Sequence, residues 1–227
     1  MRKPSKPAVR AAERAAGRQQ VAGKGRAGRD DARRSERRDA ILAAALEEFS
    51  ARGFAAARLD DVAGRAGVAK GTIYLYFRDK ESLFQELVRA MVGPVIGAIE
   101  GAPVSELPVR AVAELIAEVF VKQIYGTRRR DVLRLIIAEG PRFPKLAEFY
   151  YREVISRVLP LLRARLALAV QRGELEQDAL ARFPQLLVAP ALMAIIWSSL
   201  FERFAPLDVQ ELMRAHLDLL FGKRSVA

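Results

Sequence analysis

From Lys70 to Tyr76 the chain reads Lys-Gly-Thr-Ile-Tyr-Leu-Tyr, which places an ammonium, a hydroxyl and two phenols within seven residues. Groups of this kind make hydrogen bonds and ion pairs; no nucleophile here has a base at hand. Ile73 and Phe77 lie one turn apart and point inward, which leaves Lys70, Gly71, Thr72, Tyr74, Leu75 and Tyr76 as an outward surface. Just upstream, Leu59, Val62, Ala63 and Ala66 recur at helical spacing, and Gly67 stands where a positive φ would end their helix. Two short helices around a glycine turn, the second with its donors outward, form the helix-turn-helix pattern. Lys70 and Thr72, at the start of the second helix, can reach base edges, and Tyr74 suits a phosphate oxygen. Gly71 costs roughly 1 kcal/mol of helix propensity relative to Ala, which makes sense where backbone must approach a nucleic acid closely.

Other chemistries are limited by what the chain lacks. It has no cysteine and a single histidine, His216. Disulfides, thiolate metal sites and cysteine nucleophiles are therefore absent. A Ser-His-Asp arrangement would have to use His216, and no nucleophile elbow lies near it. Di-iron bundle chemistry needs Glu-x-x-His pairs, and the residue three before His216 is Met213. We expect no enzyme, no metal and no cofactor, with His216 on a helix surface or interface.

The order of residues around this pattern closely resembles the TetR family of one-component transcriptional regulators. It shows as Gly53-Phe54, Asp61-Val62-Ala63, Ala66-Gly67-Val68, Lys70-Gly71-Thr72-Ile73-Tyr74, Tyr76-Phe77 and Lys80-Glu81-Ser82-Leu83, in one register over residues 37–90. The resemblance implies DNA-facing roles for Lys70, Gly71, Thr72, Tyr74, Tyr76 and Lys80, the last as a phosphate contact. One departure stands out: the Ser or Thr usual before the first of the two helices is replaced by Ala57 and Arg58. That removes an N-cap, while Arg58 can still reach a phosphate.

Charge and composition set the organisation around the motif. Of the formal charge of +11, residues 1–38 carry +9, from thirteen Lys/Arg against four acids. Residues 1–34 are too poor in large apolar residues to bury a core and are expected to be disordered, either as a phosphate-binding arm or as a solvated leader. Half of the chain is hydrophobic, and its bias to Ala, Leu and Arg points to an all-α protein. A helix over 35–51, with Ile41, Leu42, Ala45, Leu46 and Phe49 on one face, completes a three-helix DNA-binding head at 35–80. The remainder, 81–225, reads as a five- to six-helix effector-binding and dimerisation bundle. Its expected helices are one starting at Lys80 that Pro94 bends or ends, then 107–125, 131–139, 145–172, 178–204 and 209–221.

Residues 183–201 carry no charge over nineteen positions, a length that fits a membrane span. Amphipathic neighbours favour the other reading, a helix buried partly in its own bundle and partly against a second subunit. The resemblance agrees: it implies a homodimer through 178–221, a double-stranded palindromic operator, and release by a small-molecule effector in the body. The expected effector is hydrophobic, the candidate lining being Phe120, Ile124, Ile137, Phe149, Tyr150, Met193 and Trp197, with Arg142 placed to complement an anion. The implied protein is a cytoplasmic, nucleoid-associated repressor without membrane contact. The alternative is an architectural DNA-binding protein that answers to no effector.

Overall fold

The structure is a computed structural model that describes residues 6–101 and 106–222, with side chains from Asp31 onward. Every regular element among the described residues is helical. Helix α1 (Lys6–Ala56) carries the apolar stripe read from the sequence, with Ile41, Leu42, Ala45, Leu46 and Phe49 all buried. Residues 6–30, expected to lack structure, continue α1 as helical backbone, in keeping with a run rich in Ala and Arg. The side chains of residues 31–37 are exposed, so this stretch gains no packing there.

The regular path of α1 ends at Gly53, with φ 74° and ψ 163°, a region open in practice only to glycine. The reversal tucks Phe54 beneath the head, against Phe49 (ring centroids 5.4 Å) and Phe84 (5.8 Å). Helix α2 (Leu59–Arg65) follows Arg58 and has no side-chain cap, as the loss of Ser/Thr predicts. Asp60 and Asp61 in its first turn supply negative charge near the helix N-terminus instead. Gly67, at φ 67°, closes α2: Val68 N–H donates to the Ala63 carbonyl and Gly67 N–H to that of Gly64. This is the Schellman arrangement. Helix α3 (Lys70–Tyr76) is then short, and Ile73 is its one buried residue.

Helix α4 (Lys80–Gly101) joins head to body. Its start is a reciprocal cap that the sequence reading missed: Ser82 N–H donates to Asp79 Oδ1 (2.7 Å), and Asp79 N–H donates to Ser82 Oγ (3.1 Å). Pro94, expected to bend or end it, lies within a helix that continues to Gly101. Beyond come α5 (Val109–Val119) with a π-helical turn (Phe120–Tyr125), α6 (Arg129–Glu139) and α7 (Pro144–Tyr150). A second π-turn (Tyr151–Ile155) leads into α8 (Ser156–Gln171), followed by α9 (Ala179–Arg182), α10 (Gln185–Leu200) and α11 (Val209–Phe221). The expected helix over 178–204 is divided at Phe183-Pro184, where the chain leaves helical dihedrals at Phe183 before α10 begins.

Of the described helices, only α4 is long and apolar enough to cross a membrane, and its Leu83, Phe84 and Leu87 are fully buried in the protein. Helix α10, the expected candidate, has 16 residues. One apolar core draws on α1 to α4, α6 and α7 and binds the head to part of the body. Two further clusters join α5, α8 and α10 to α11.

Candidate nucleic-acid interface and apolar cavity

Ile73 and Phe77 anchor α3 in the core of the head, and Lys70, Gly71, Tyr74 and Leu75 are exposed on its other side. Tyr74 is 51% and Leu75 84% exposed. Lys70 is exposed and its Nζ pairs with Asp60 Oδ2 at 2.7 Å; that hydrogen bond holds the ammonium pKa above its usual value. Thr72 is half-buried, its N–H bonded to the Ala69 carbonyl (2.8 Å). A Cβ built on Gly71 meets no atom within 4 Å, so any need for glycine there comes from outside this chain. Arg58 is exposed beside this face. Tyr76 is half-buried and packs on the head core, its ring centroid 6.3 Å from that of Phe77, at the edge of the surface.

Lys80 is placed otherwise than expected. Its Nζ donates to the carbonyls of Phe54 (2.7 Å), Ala55 (2.8 Å) and Ala57 (3.4 Å) and lies 4.8 Å from the centre of the Phe54 ring. An ammonium has three protons, and these three carbonyls, orphaned where α1 unwinds, take them. Lys80 fixes the geometry of the head and has no donor left for a phosphate.

Ion pairs brace the scaffold behind α3. Glu48, 1% exposed, accepts from Arg65 Nη2 (3.1 Å) and pairs with Arg52 Nε (2.9 Å). Its neighbour Glu47 accepts from Arg128 at the start of α6 (3.0 Å) as well as from Arg65 (3.3 Å), and the Arg128 bond lowers the Glu47 pKa. The second link from head to body is aromatic: Phe54 packs edge-on against Phe143 at 5.0 Å. The third is Gly53, where an added Cβ would come within 2.5 Å of Glu139 Oε1.

The body has a cavity of about 240 Å³, partly open to solvent, between α4, α5, α8, α10 and α11, lined almost wholly by apolar side chains. Phe120, Ile124 and Tyr150 line it as expected. The other five candidates lie elsewhere. Phe149 is consumed by the core shared with the head, and Ile137 lies on the far side of α6 facing α1 and α10. Arg142 is exposed, with its guanidinium 5.9 Å from the Phe143 ring. Met193 is exposed, and Trp197 donates to the Ala205 carbonyl (2.7 Å) on the outer side of α10. His216, expected on a helix surface or interface, is half-buried; it also lines the cavity, and its Nε2 lies 2.9 Å from the Leu186 carbonyl. Burial raises the pKa of the Tyr150 phenol, which stays protonated as a donor.

Residues 41–87 match the family model described as bacterial regulatory proteins, tetR family, and residues 112–217 that of the AefR-like transcriptional repressor C-terminal domain. The HTH-type transcriptional repressor BepR of Brucella suis is 30% identical over 159 residues, covering 66% of this chain and 74% of BepR. Two other curated relatives align over only 27% and 64% of their own lengths. Among solved structures, the SmeT–triclosan complex superposes with a TM-score of 0.65 at 21% identity, covering 81% of this chain and 89% of that one. SmeT is the repressor of a Stenotrophomonas maltophilia efflux pump. FadR of Bacillus subtilis in complex with stearoyl-CoA gives 0.57 at 23% identity, covering 82% and 98%. The all-α fold, with its helix-turn-helix head and helical body, is theirs. The chain belongs to the TetR family of DNA-binding transcriptional regulators, which are not enzymes.

Proposed function

We propose that the chain is a repressor that binds a palindromic operator as a homodimer and is released when a small, mostly apolar molecule occupies the body cavity. The carrying observation is α3 itself, seven residues anchored by Ile73 with the donors of Lys70, Thr72 and Tyr74 turned outward. Arg58, Gly71 and the edge residue Tyr76 complete the contact face, and two such helices one turn of DNA apart (~34 Å) would read the two half-sites. The dimer reading is supported by the uncharged outer side of α10, where Leu192, Met193, Ile196 and Leu200 are all exposed in one protomer. The effector reading is supported by the cavity and by related folds, one in complex with triclosan and another with stearoyl-CoA. The same reading puts the protein on operator DNA in the cytoplasm, with residues 1–34 adding phosphate contacts.

The test is operator binding by fluorescence anisotropy. Replacing Lys70, Thr72 and Tyr74 together by Ala should abolish binding while the melting temperature holds; wild-type affinity would sink the assignment. Deleting 1–34 should make the dependence of log K on log salt shallower by roughly 0.9 for each phosphate that the tail neutralises, with sequence preference intact.

A further inference from the structure

Tyr150, the last residue of α7, is 8% exposed and serves two parts of the fold at once. It packs in the core that ties head to body, and it also borders the apolar cavity. Among the described residues its hydroxyl has no hydrogen-bond partner, and burial alone raises its pKa. Nor does that oxygen belong with the enclosed, unpartnered atoms of the described residues, which are those of Glu48, Asp60, Glu139 and Arg165. It is open to a molecule the size of water. Buried polar groups of folded proteins are almost always satisfied, so a hydroxyl left open at a cavity wall points to a guest that satisfies it.

The rest of the wall narrows what that guest can be. No Lys, Arg, Asp or Glu stands among the lining residues, so a charged guest would lose its water with nothing to replace it. His216 is the other lining side chain with a nitrogen or oxygen, and its Nε2 already lies 2.9 Å from the Leu186 carbonyl. The Tyr150 phenol keeps its proton and so offers a donor. A carbonyl needs one donor and nothing more. An alcohol would bring an O–H of its own, which needs an acceptor in a space walled by Val, Ile and Leu.

We propose that the cavity takes an uncharged, largely apolar molecule with one carbonyl, which accepts from the Tyr150 hydroxyl while the carbon skeleton lies against Ile116, Phe120 and Leu162. This rests on the reading of the body as an effector domain and names the class of effector. The apolar walls supply most of the affinity, and Tyr150 chooses among molecules of similar shape.

Three molecules with equal numbers of carbons test this by calorimetry on the full-length protein: butyrophenone, butylbenzene and 4-phenylbutanoate. Tyr150→Phe keeps the ring in the core and removes only the hydroxyl. It should weaken butyrophenone by at least about fivefold, the worth of one neutral hydrogen bond, and leave butylbenzene as tight as before or tighter. Phenylbutanoate should bind the wild type at least about tenfold more weakly than the ketone. In isotope-edited infrared spectra, the carbonyl stretch of the bound ketone should lie lower in the wild type than in the variant or in an alkane solvent. Unchanged ketone affinity in a variant that melts normally, or a loss shared equally by butylbenzene, would overturn the proposal. So would phenylbutanoate bound as tightly as the ketone, or no binding of butyrophenone at all. Should the variant fail to fold, an alkane-like carbonyl stretch in the wild type overturns it alone. A parallel operator gel shift separates the two readings. A ketone that binds through Tyr150 without releasing DNA supports this site and refutes the ketone as inducer. Release by butylbenzene or phenylbutanoate, with no butyrophenone binding, upholds the effector reading and defeats this one.

Discussion

At the scale of single residues, two lysines ten positions apart carry different loads. Lys70 sits on the surface in a pair with Asp60, where water and salt screen the attraction and little stability is gained. Lys80 satisfies three carbonyls at the end of α1, and hydrogen bonds to a charged donor count for ~1.5–3 kcal/mol. Lys80→Met should therefore lower unfolding stability by about 2 kcal/mol in urea titrations. Lys70→Ala should leave stability unchanged and weaken operator binding instead. Equal effects of the two on stability would show that Lys80 does not hold the head. Asp79 offers a pH-dependent counterpart. Its pKa lies below the usual 3.8, first because it accepts the Ser82 N–H. Its cap therefore stabilises the fold above that pH and fades as pH falls through the lowered value. Asp79→Ala should cost ~1 kcal/mol near neutrality, and the gap from wild type should close as the solution is acidified through that range.

At the scale of elements, α10 shows how one apolar run divides between two duties. Ile195 is fully buried against Phe120, Val209 and Met213, whereas its neighbour Ile196 is 37% exposed on the other side. Sequence periodicity hardly separates them, because the helix is apolar almost all round. The structure turns them into opposite predictions. Ile196→Asp should shift light scattering from dimer to monomer while helical circular dichroism persists. Ile195→Asp buries an unpaired carboxylate and should unfold the body, a loss of several kcal/mol. A dimeric Ile196→Asp protein would move the interface off α10. Helix α4 makes a related point: Pro94 lacks an N–H, yet Val92, Val95 and Ile96 are buried around it, and that packing outweighs the local cost.

At the scale of the whole molecule, the head meets the body through α4 and through the joint made by Phe54–Phe143, Glu47–Arg128 and Gly53–Glu139. Its stiffest part is Gly53. A side chain there meets both a backbone region closed to L-residues and the Glu139 carboxylate, one oxygen of which is buried without a partner. Gly53→Ala should cost at least ~1–3 kcal/mol from dihedral strain alone. Adding Glu139→Ala should recover the steric part and leave the strain, so the two changes should be non-additive in a double-mutant cycle. Additive losses would mean that the close approach carries no energy.

Local chemistry was enough to read the head from the sequence. Gly67 required a positive φ, Ile73 and Phe77 shared one face of a short helix, and the missing Ser/Thr at Ala57-Arg58 meant an uncapped α2; each depends on neighbours within a turn or two. The helical body and the end of its helices at Gly126, Gly140 and Gly173 were legible for the same reason. What spacing could not decide was which apolar faces meet. Phe149, Met193 and Trp197 have the composition of a pocket, but one fills the core and two lie on the outside of α10. His216, read as a helix-surface or interface residue, is half-buried and also lines the cavity. Tyr150 was legible as cavity lining. Its unmet hydroxyl, like the three carbonyls around Lys80, depends on contacts between residues far apart in the chain, which only the folded structure brings together.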